Sequence, residues 1–253
     1  MKIVRFKAAG KTCYGALEGS QVVEFVGTPF GAFKRGRRKF SLKQVVLLAP
    51  VVPSKIVAIG LNYRDHAEEV GMAIPDEPYI FFKPPSAIIG PEDPIVLPEM
   101  SERVDYEGEL AVVIKKACRR VPAARARDYV LGYTCLNDVT ARDIQRRDGG
   151  PCRAKAFDTF APLGPCIATD VEPNAVDVET YLNGERRQAS NTKMLIFPVE
   201  DLITRLSQVM TLLPGDVITT GTPAGIGPMH AGDRVEVRIE GIGALKNSVV
   251  KIP

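Results

Sequence analysis

Histidine and cysteine are scarce in this chain of 253 residues, tryptophan is absent, and these shortages exclude several kinds of site. With only His66 and His230, the chain cannot form a multi-histidine zinc site or an HExxH motif. The five cysteines are odd in number and form no CxxC pair, which predicts reduced thiols in the cytoplasm. No GxSxG elbow is present, although a Ser–His–Asp arrangement stays open.

Long apolar runs and a strong net charge are also missing. The longest near-continuous apolar stretch, residues 45–53, is far shorter than the roughly 18 residues that span a bilayer. Arg5 and Lys7 interrupt the amino terminus, where a signal peptide would have its apolar core. The formal net charge of +3 is too small to favour nucleic acid as a partner. We therefore expect a cytoplasmic protein that binds neither membrane nor nucleic acid.

One run of positive charge, residues 34–39, departs from this balance. It contains Lys34, Arg35, Arg37, Arg38 and Lys39 around Gly36. The run is either an arm for phosphate or a membrane surface, or a solvated loop, and we favour the loop. A non-enzymatic nucleic-acid binder that uses residues 34–39 is the alternative from a different functional class.

Glycine and proline are plentiful, with 22 and 20 residues, which favours short strands and turns over a helical bundle. Prolines at the segment 49–55 mark a boundary between a small β-rich region, residues 1–52, and a larger domain, residues 53–253. In the larger domain, Asn183–Gly184 predicts a hairpin turn, and the apolar spacing of residues 199–210 predicts an amphipathic helix. The sequence thus predicts an α+β fold dominated by strands, with few short helices.

Three carboxylates alternate in segment 103–114, which predicts a single strand: Asp105, Glu107 and Glu109. A period of two places them on one face, about 7 Å apart. Because the segment continues into apolar residues, burial of three like charges would be unfavourable unless a hard divalent cation such as Mg²⁺ neutralises them. A solvated strand face is the alternative. Asp138, after the next short strand, is either a further ligand or a turn or helix cap.

Cationic and amide side chains follow Asp138. Arg142 and Gln145 are one helical turn apart, and Lys155 lies a short loop further on. A metal with such groups around it would suit a small anionic substrate.

His66 and Glu69 are three residues apart in a predicted short helix that ends at Gly71. Side chains at this spacing can touch, and a carboxylate that fixes the imidazole tautomer favours a general base. A surface pair is the alternative, and Glu68 is also within reach.

The loop TTGTPAGIG, residues 219–227, lacks both a P-loop lysine and a GxGxxG pattern. We expect its backbone amides and the Thr222 hydroxyl to hold a carboxylate. A plain turn and a nucleotide site are the alternatives.

Several of these motifs together resemble the fumarylacetoacetate hydrolase family. They occur in family order across about residues 53–250, and the chain is identified as a short bacterial or archaeal-type member. The motifs are GLNYRDHAEEVG, VDYEGELAVVI, NDVTARDIQ, LNGERRQ, FPVEDLITRLSQ, MTLLPGDVITTGTPAGIG and GDRVEVRIEGIG. The first 50 residues match loosely, and the long first domain of the animal fumarylacetoacetases is absent, which argues against fumarylacetoacetate itself as substrate.

The resemblance implies a mixed β-roll, a homodimer and a set of site residues. Mg²⁺, or Mn²⁺, would be held by Glu107, Glu109 and Asp138. The same resemblance implies His66, Glu69 and Lys155 as catalytic residues, and Arg142, Gln145 and Thr222 as substrate contacts.

The expected activity is that of a Mg²⁺-dependent enzyme for a 2-oxo acid or its enol. We favour C–C hydrolysis of an acylpyruvate, with His66 and Glu69 activating water. The alternatives depend on the same polarised 2-oxo carbonyl. They are an isomerase or decarboxylase of aromatic catabolism, of the 2-hydroxyhepta-2,4-diene-1,7-dioate type, or an oxaloacetate decarboxylase or tautomerase.

Overall fold

The computed structural model describes residues 1–251 and builds them mainly from strands. The strands are β1 (Lys2–Ala8), β2 (Lys11–Glu18), β3 (Gln21–Gly27), β4 (Phe33–Ser41), β5 (Val46–Leu48), β6 (Ile56–Gly60), β7 (Tyr79–Lys83), β8 (Ile88–Ile89), β9 (Ile95–Val96), β10 (Val104–Tyr106), β11 (Gly108–Ile114), β12 (Val130–Asn137), β13 (Thr140–Ala141), β14 (Ala161–Ala168), β15 (Asp177–Leu182), β16 (Glu185–Asn191), β17 (Val217–Thr219), β18 (Gly227–Met229), β19 (Arg234–Ile239) and β20 (Gly243–Val250). The α-helices are α1 (Arg64–Val70), α2 (Arg142–Asp148) and α3 (Val199–Val209).

The strands form three sheets, of which the largest carries the site. Its order is β4-β3-β2-β1-β14-β12-β11-β17-β6-β7, with β5 paired to β1 and β8 paired to β14. Most neighbours are antiparallel, but β17 pairs with β6 in parallel, so the sheet is mixed. The smaller sheets have the orders β13-β10-β18 and β16-β15-β19-β20-β9. The predicted strand-dominated α+β fold is confirmed.

The central strand β11 is buried on both faces, which explains its unbroken apolar sequence. Its residues Leu110 and Val112 belong to a core shared with α3 and the five-stranded sheet. Ala111 and Val113, which point the other way, belong to a second core beside β14 and β17. Glu109, the second residue of β11, therefore lies in a strand that has no solvated face.

The N-terminal strands continue the main sheet, because β1 pairs with β14 at Lys2 and Ala168. The division of the chain at residue 52 stays a prediction. The expected loop at residues 34–39 is wrong: this run lies in β4, the edge strand. Cross-strand carboxylates stabilise it there, since Arg35 pairs with Glu18 and Arg38 with Glu24. Basic residues on an edge strand also discourage pairing with other chains.

The predicted turns follow the expected backbone geometry. Asn183 and Gly184 both have positive φ angles, +54° and +84°, as a type I′ hairpin turn requires. Helix α1 ends at Gly71, which adopts the left-handed conformation with φ +66°. The apolar spacing of residues 199–210 puts Val209 on the buried face of the predicted helix, and this is wrong: Val209 is the last residue of α3 and its side chain is exposed. Within residues 1–251 no helix has the length and apolar character needed to cross a membrane.

Candidate metal centre and active site

The segment predicted as one strand breaks at Glu107. Its first part, β10, joins the three-stranded sheet, and its second part, β11, joins the main sheet. The break is fixed by side chains of neighbouring strands: Asn137 accepts from the Glu107 amide, and Gln188 accepts from the Gly108 amide. Gly108 is required here, because a Cβ atom would lie 2.1 Å from Oγ1 of Thr180.

Because of this break, Asp105 does not join the other carboxylates, and the expectation of one common face is wrong. Asp105 is fully buried and faces two guanidinium groups. Arg103 Nε lies 2.9 Å from its Oδ1, and Arg142 Nε lies 3.0 Å from its Oδ2. Asp105 therefore anchors Arg142 beside the site.

Glu107, Glu109 and Asp138 form a buried acidic triad. They offer ligand oxygens that all lie within 4.8 Å of one another. The pairing of β11 with β12 places Gly108 opposite Asn137, and the Asp138 amide donates to the Glu107 carbonyl at 2.8 Å. Side chains that are 31 residues apart in sequence are thus held together by rigid backbone.

Cationic side chains surround the triad. Lys155 Nζ lies 2.7 Å from Oε2 of Glu107 and 2.6 Å from Oδ2 of Asp138. Arg142 pairs with Oε1 of Glu107 and also donates to Gln145 Oε1 at 2.7 Å. The predicted substrate contacts Arg142 and Gln145 are therefore connected to a metal-ligand candidate.

Lys83 was not predicted. It is fully buried at the end of β7, and its Nζ lies 2.6 Å from Oδ1 of Asp138. The sequence does contain a clue to its burial. Lys83 follows Phe81 by two residues at the end of the apolar run YIFFK, so the two side chains point to the same face of the strand.

These charges shift the protonation equilibria in opposite directions. Burial raises the pKa of Glu107, but Lys155 and Arg142 outweigh it and hold the pKa at about 2. Burial and the neighbouring Asp138 raise the pKa of Glu109 well above its usual range. Burial lowers the pKa of Lys83, against the pull of Asp138. Glu109 is thus the carboxylate whose charge is least compensated by the protein.

The donor set fits a hard divalent cation. All three candidate ligands are carboxylates, the oxygen donors that Mg²⁺ and Mn²⁺ prefer. Oε2 of Glu109 accepts from the Thr219 hydroxyl and from the Gly221 amide at 2.8 Å, which leaves Oε1 for a metal. A cation at the triad would supply the positive charge that the protein does not place beside Glu109.

The histidine pair has the geometry of an oriented base. His66 Nδ1 lies 2.7 Å from Oε2 of Glu69, and the other oxygen of Glu69 accepts from the Gly225 amide at 2.9 Å. A carboxylate at Nδ1 favours the tautomer with its proton there, so Nε2 is the atom that can accept a proton.

The loop 219–227 holds carboxylates of the protein itself. Its amides at Gly221 and Gly225 serve Glu109 and Glu69. The Thr222 hydroxyl donates to the Gly108 carbonyl at 3.0 Å and accepts from Gln188 Nε2 at 2.8 Å. The role of Thr222 toward substrate stays a prediction, because these contacts already engage its hydroxyl.

One cavity of about 870 Å³ brings most of the predicted residues together. Seven of them line it: His66, Glu107, Glu109, Arg142, Gln145, Lys155 and Thr222. The other two do not line the cavity but contact residues that do: Glu69 contacts His66, and Asp138 contacts Lys155. Metal-ligand candidates, cations and a base therefore face one space.

Comparison with known proteins identifies the family. Residues 55–250 match the family model described as fumarylacetoacetate (FAA) hydrolase C-terminal, and residues 1–50 match one described as Rv2993c-like, N-terminal. The chain belongs to the fumarylacetoacetate hydrolase family, as the motifs predicted.

Named relatives catalyse different reactions. The structure of a 5-carboxymethyl-2-hydroxymuconate delta-isomerase from Mycobacterium smegmatis is 46% identical, with a TM-score of 0.94 and full coverage of both chains. A maleylpyruvate hydrolase from Sphingobium sp. SYK-6, solved with manganese(II) and pyruvate, is 33% identical, with a TM-score of 0.83 and full coverage of both chains. The mitochondrial oxaloacetate tautomerase Fahd2a of Rattus norvegicus is 44% identical over 219 residues, which are 82% of this chain and 70% of the rat protein. The family is therefore one of enzymes, and its members differ in reaction.

Proposed function

We propose that this protein is a divalent-metal-dependent enzyme that hydrolyses the C–C bond of an acylpyruvate. The observation that carries the proposal is that the acidic triad and the His66–Glu69 pair serve the same cavity. The manganese and pyruvate in the structure of the Sphingobium relative give independent support.

Glu107, Glu109 and Asp138 would hold Mg²⁺, with Mn²⁺ as an acceptable substitute, because both cations accept carboxylate ligands. The bound cation would polarise the 2-oxo oxygen of the substrate as a Lewis acid.

His66 would remove a proton from water through Nε2, with Nδ1 held by Glu69. The water oxygen then bonds to the acyl carbon, and the bond from that carbon to the methylene carbon of the pyruvate unit breaks. The methylene carbon takes up a proton, so the products are a carboxylic acid and pyruvate. General base catalysis of this kind typically contributes about 10²- to 10⁴-fold to the rate.

Arg142 and Lys155 would bind and orient the anionic end of the substrate. Asp105 fixes the guanidinium of Arg142, which leaves the side chain little freedom to turn away. Gln145 would donate a hydrogen bond to an uncharged substrate oxygen through Nε2, because its Oε1 accepts from Arg142. Thr222 would do the same only by giving up its bond to the Gly108 carbonyl.

Isomerisation, tautomerisation or decarboxylation of a 2-oxo acid is the second candidate. The names of the Mycobacterium smegmatis and rat relatives favour it. It needs the same base, which would move a proton between substrate carbon and oxygen instead of activating water.

The test is a product analysis with acetylpyruvate and oxaloacetate, each in Mg²⁺ and in EDTA. Hydrolysis predicts acetate and pyruvate in equal amounts from acetylpyruvate, only with the metal. Enol–keto conversion of oxaloacetate without cleavage of acetylpyruvate would support tautomerisation instead, and release of CO₂ would support decarboxylation.

We also propose, from the family resemblance, that the protein is a homodimer. Light scattering after gel filtration measures this directly, and a mass of one chain would contradict it.

A further inference from the structure

Charge is distributed unevenly along the cavity. Within residues 1–251, the permanent cations that line it are Arg142 and Lys155, and both contact Glu107. The cations that line the cavity therefore lie at the end where the acidic triad is.

Strand β7 gives the cavity its length. Tyr79 and Phe81 line it, and Lys83, in the same phase of the strand, contacts Asp138. Phe81 lies between the two ends: its ring is 5.1 Å from Lys155 Nζ and 6.4 Å from the ring of Tyr79. Tyr79 and Lys83 are four positions apart in this strand, a distance of about 13 Å.

The end of the cavity away from the triad is apolar. We call it the distal wall, and it is formed by the last residue of α1, the following loop and the start of β7: Val70, Met72, Ala73, Pro75, Pro78 and Tyr79. Met72 and Tyr79 are 60% and 56% exposed, so this apolar surface is available to a ligand.

The charged lining residue beside the distal wall is an acid, Glu77. Its carboxylate is 77% exposed and lies 2.5 Å from Nη1 of Arg205, which also pairs with Asp201. Within residues 1–251 no cation lines this end, so a substrate carboxylate there would gain no ion pair, whereas an apolar group would cover the exposed surface of Met72 and Tyr79.

We propose that the substrate has one carboxylate, at the triad end, and an uncharged apolar group at the distal wall. The proposal rests on the proposed function and narrows it: the enzyme accepts aliphatic or aromatic acylpyruvates in preference to acylpyruvates with a second carboxylate on the acyl group. The length of the cavity leaves room for an acyl group longer than acetyl.

Two non-cleavable 2-oxo acids separate this inference from the reaction. They are 2-oxooctanedioate and 8-methyl-2-oxononanoate. Both have five methylene groups after the 2-oxo carbon, and they differ only in the group that follows, a carboxylate in the first and an isopropyl group in the second. Calorimetric titration of the Mg²⁺-loaded protein is expected to show at least about tenfold tighter binding of the isopropyl compound. Equal or tighter binding of the dioate, or no binding of either compound, would overturn the inference.

Two variants locate the effect at the distal wall. Met72→Lys is expected to improve binding of the dioate relative to the isopropyl compound by about tenfold, because it places a cation at this end. Met72→Gln, of similar length but uncharged, should not produce that change. An equal change in both variants would mean that Met72 does not meet the distal group.

The binding test can succeed or fail independently of the test for hydrolysis. If the isopropyl compound binds more tightly but neither acetylpyruvate nor a longer apolar acylpyruvate is cleaved, the substrate preference holds and hydrolysis is wrong.

Discussion

The chain has two histidines, and each has a carboxylate three residues later. Nδ1 of His66 lies 2.7 Å from Oε2 of Glu69, and the histidine side chain is 12% exposed. His230 and Asp233 lie 3.7 Å apart, with the histidine side chain 78% exposed. The spacing in sequence is the same, yet the surroundings differ.

The difference lies in what holds each carboxylate. Glu69 is fixed by the Gly225 amide and orients an imidazole that faces the cavity. Asp233 instead caps a turn, accepting from the His230 amide at 2.7 Å and from Asn183 Nδ2 at 2.8 Å. The first pair is thus arranged for proton transfer and the second for backbone structure. The second pair is a natural control for the first.

Replacement of each histidine by glutamine is the sharpest way to test this contrast. His66→Gln should lower kcat for acylpyruvate cleavage by about 100-fold or more, because the base is lost. His230→Gln should leave kcat and KM unchanged. Steady-state kinetics of both variants measures the difference, and equal effects of the two changes would show that His66 is not the base.

Replacement of the two carboxylates comes next in size. Glu69→Gln keeps the shape of the side chain but removes the charge that fixes the imidazole, so kcat should fall by about tenfold or more while KM changes little. Asp233→Asn should not affect kcat. If Glu69→Gln raised KM with kcat intact, Glu69 would be shaping the cavity rather than orienting His66.

Within residues 1–251 an acidic triad lies beside the first pair and none lies beside the second. The lysines that contact this triad should oppose metal binding. Lys155→Met removes a cation within 3 Å of two candidate ligands. Mn²⁺ should therefore bind roughly several-fold more tightly, because the screened electrostatic repulsion between the lysine and the metal ion is lost. Activity should nevertheless fall, because Lys155 also lines the cavity.

Lys83→Met is the matched control for that variant. Lys83 also faces Asp138 but is not among the residues that line the cavity. It should strengthen Mn²⁺ binding as well, with a smaller loss of activity. Weaker Mn²⁺ binding in both variants, measured with thermal unfolding to confirm folding, would mean that the lysines are needed to hold the triad in place.

The smallest expected effect concerns the second pair alone. Burial raises the pKa of Asp233, but contacts from Asn183 and His230 outweigh it and lower the pKa below its usual value. The charged form is therefore favoured by folding, so this stabilisation is present above the ordinary aspartate pKa and is lost as pH falls through the lowered one. Asp233→Asn should reduce the free energy of unfolding by about 0.5–1 kcal/mol at neutral pH. The difference from wild type should vanish in acid, and a constant difference across pH would contradict this account.

Much of the site could be predicted from sequence because its residues lie in short, dense motifs. Glu107 and Glu109 are two residues apart and Asp138 directly follows a neighbouring strand, so local pairing brings them together. Their role as metal ligands stays a prediction, as does that of each catalytic residue.

The rest depended on long-range packing. The separation of Asp105 from the triad could not be predicted, because the break at Glu107 depends on contacts of Gly108 with Thr180 and Gln188, which are more than 70 residues away in sequence. The role of Lys83 gives no sequence signal of its own, because its partner Asp138 lies in another segment. The strand conformation of the basic run is likewise not predictable locally, because its carboxylate partners, Glu18 and Glu24, lie on other strands.

Binding of oxalate shows whether the triad and its cations form a metal-dependent site for a 2-oxo acid. Oxalate presents the two chelating oxygens of such a substrate and cannot react further. Calorimetric titration should show binding in Mg²⁺ and none in EDTA, with His230→Gln behaving as wild type. Binding of equal strength in EDTA, or no binding in either buffer, would contradict the account.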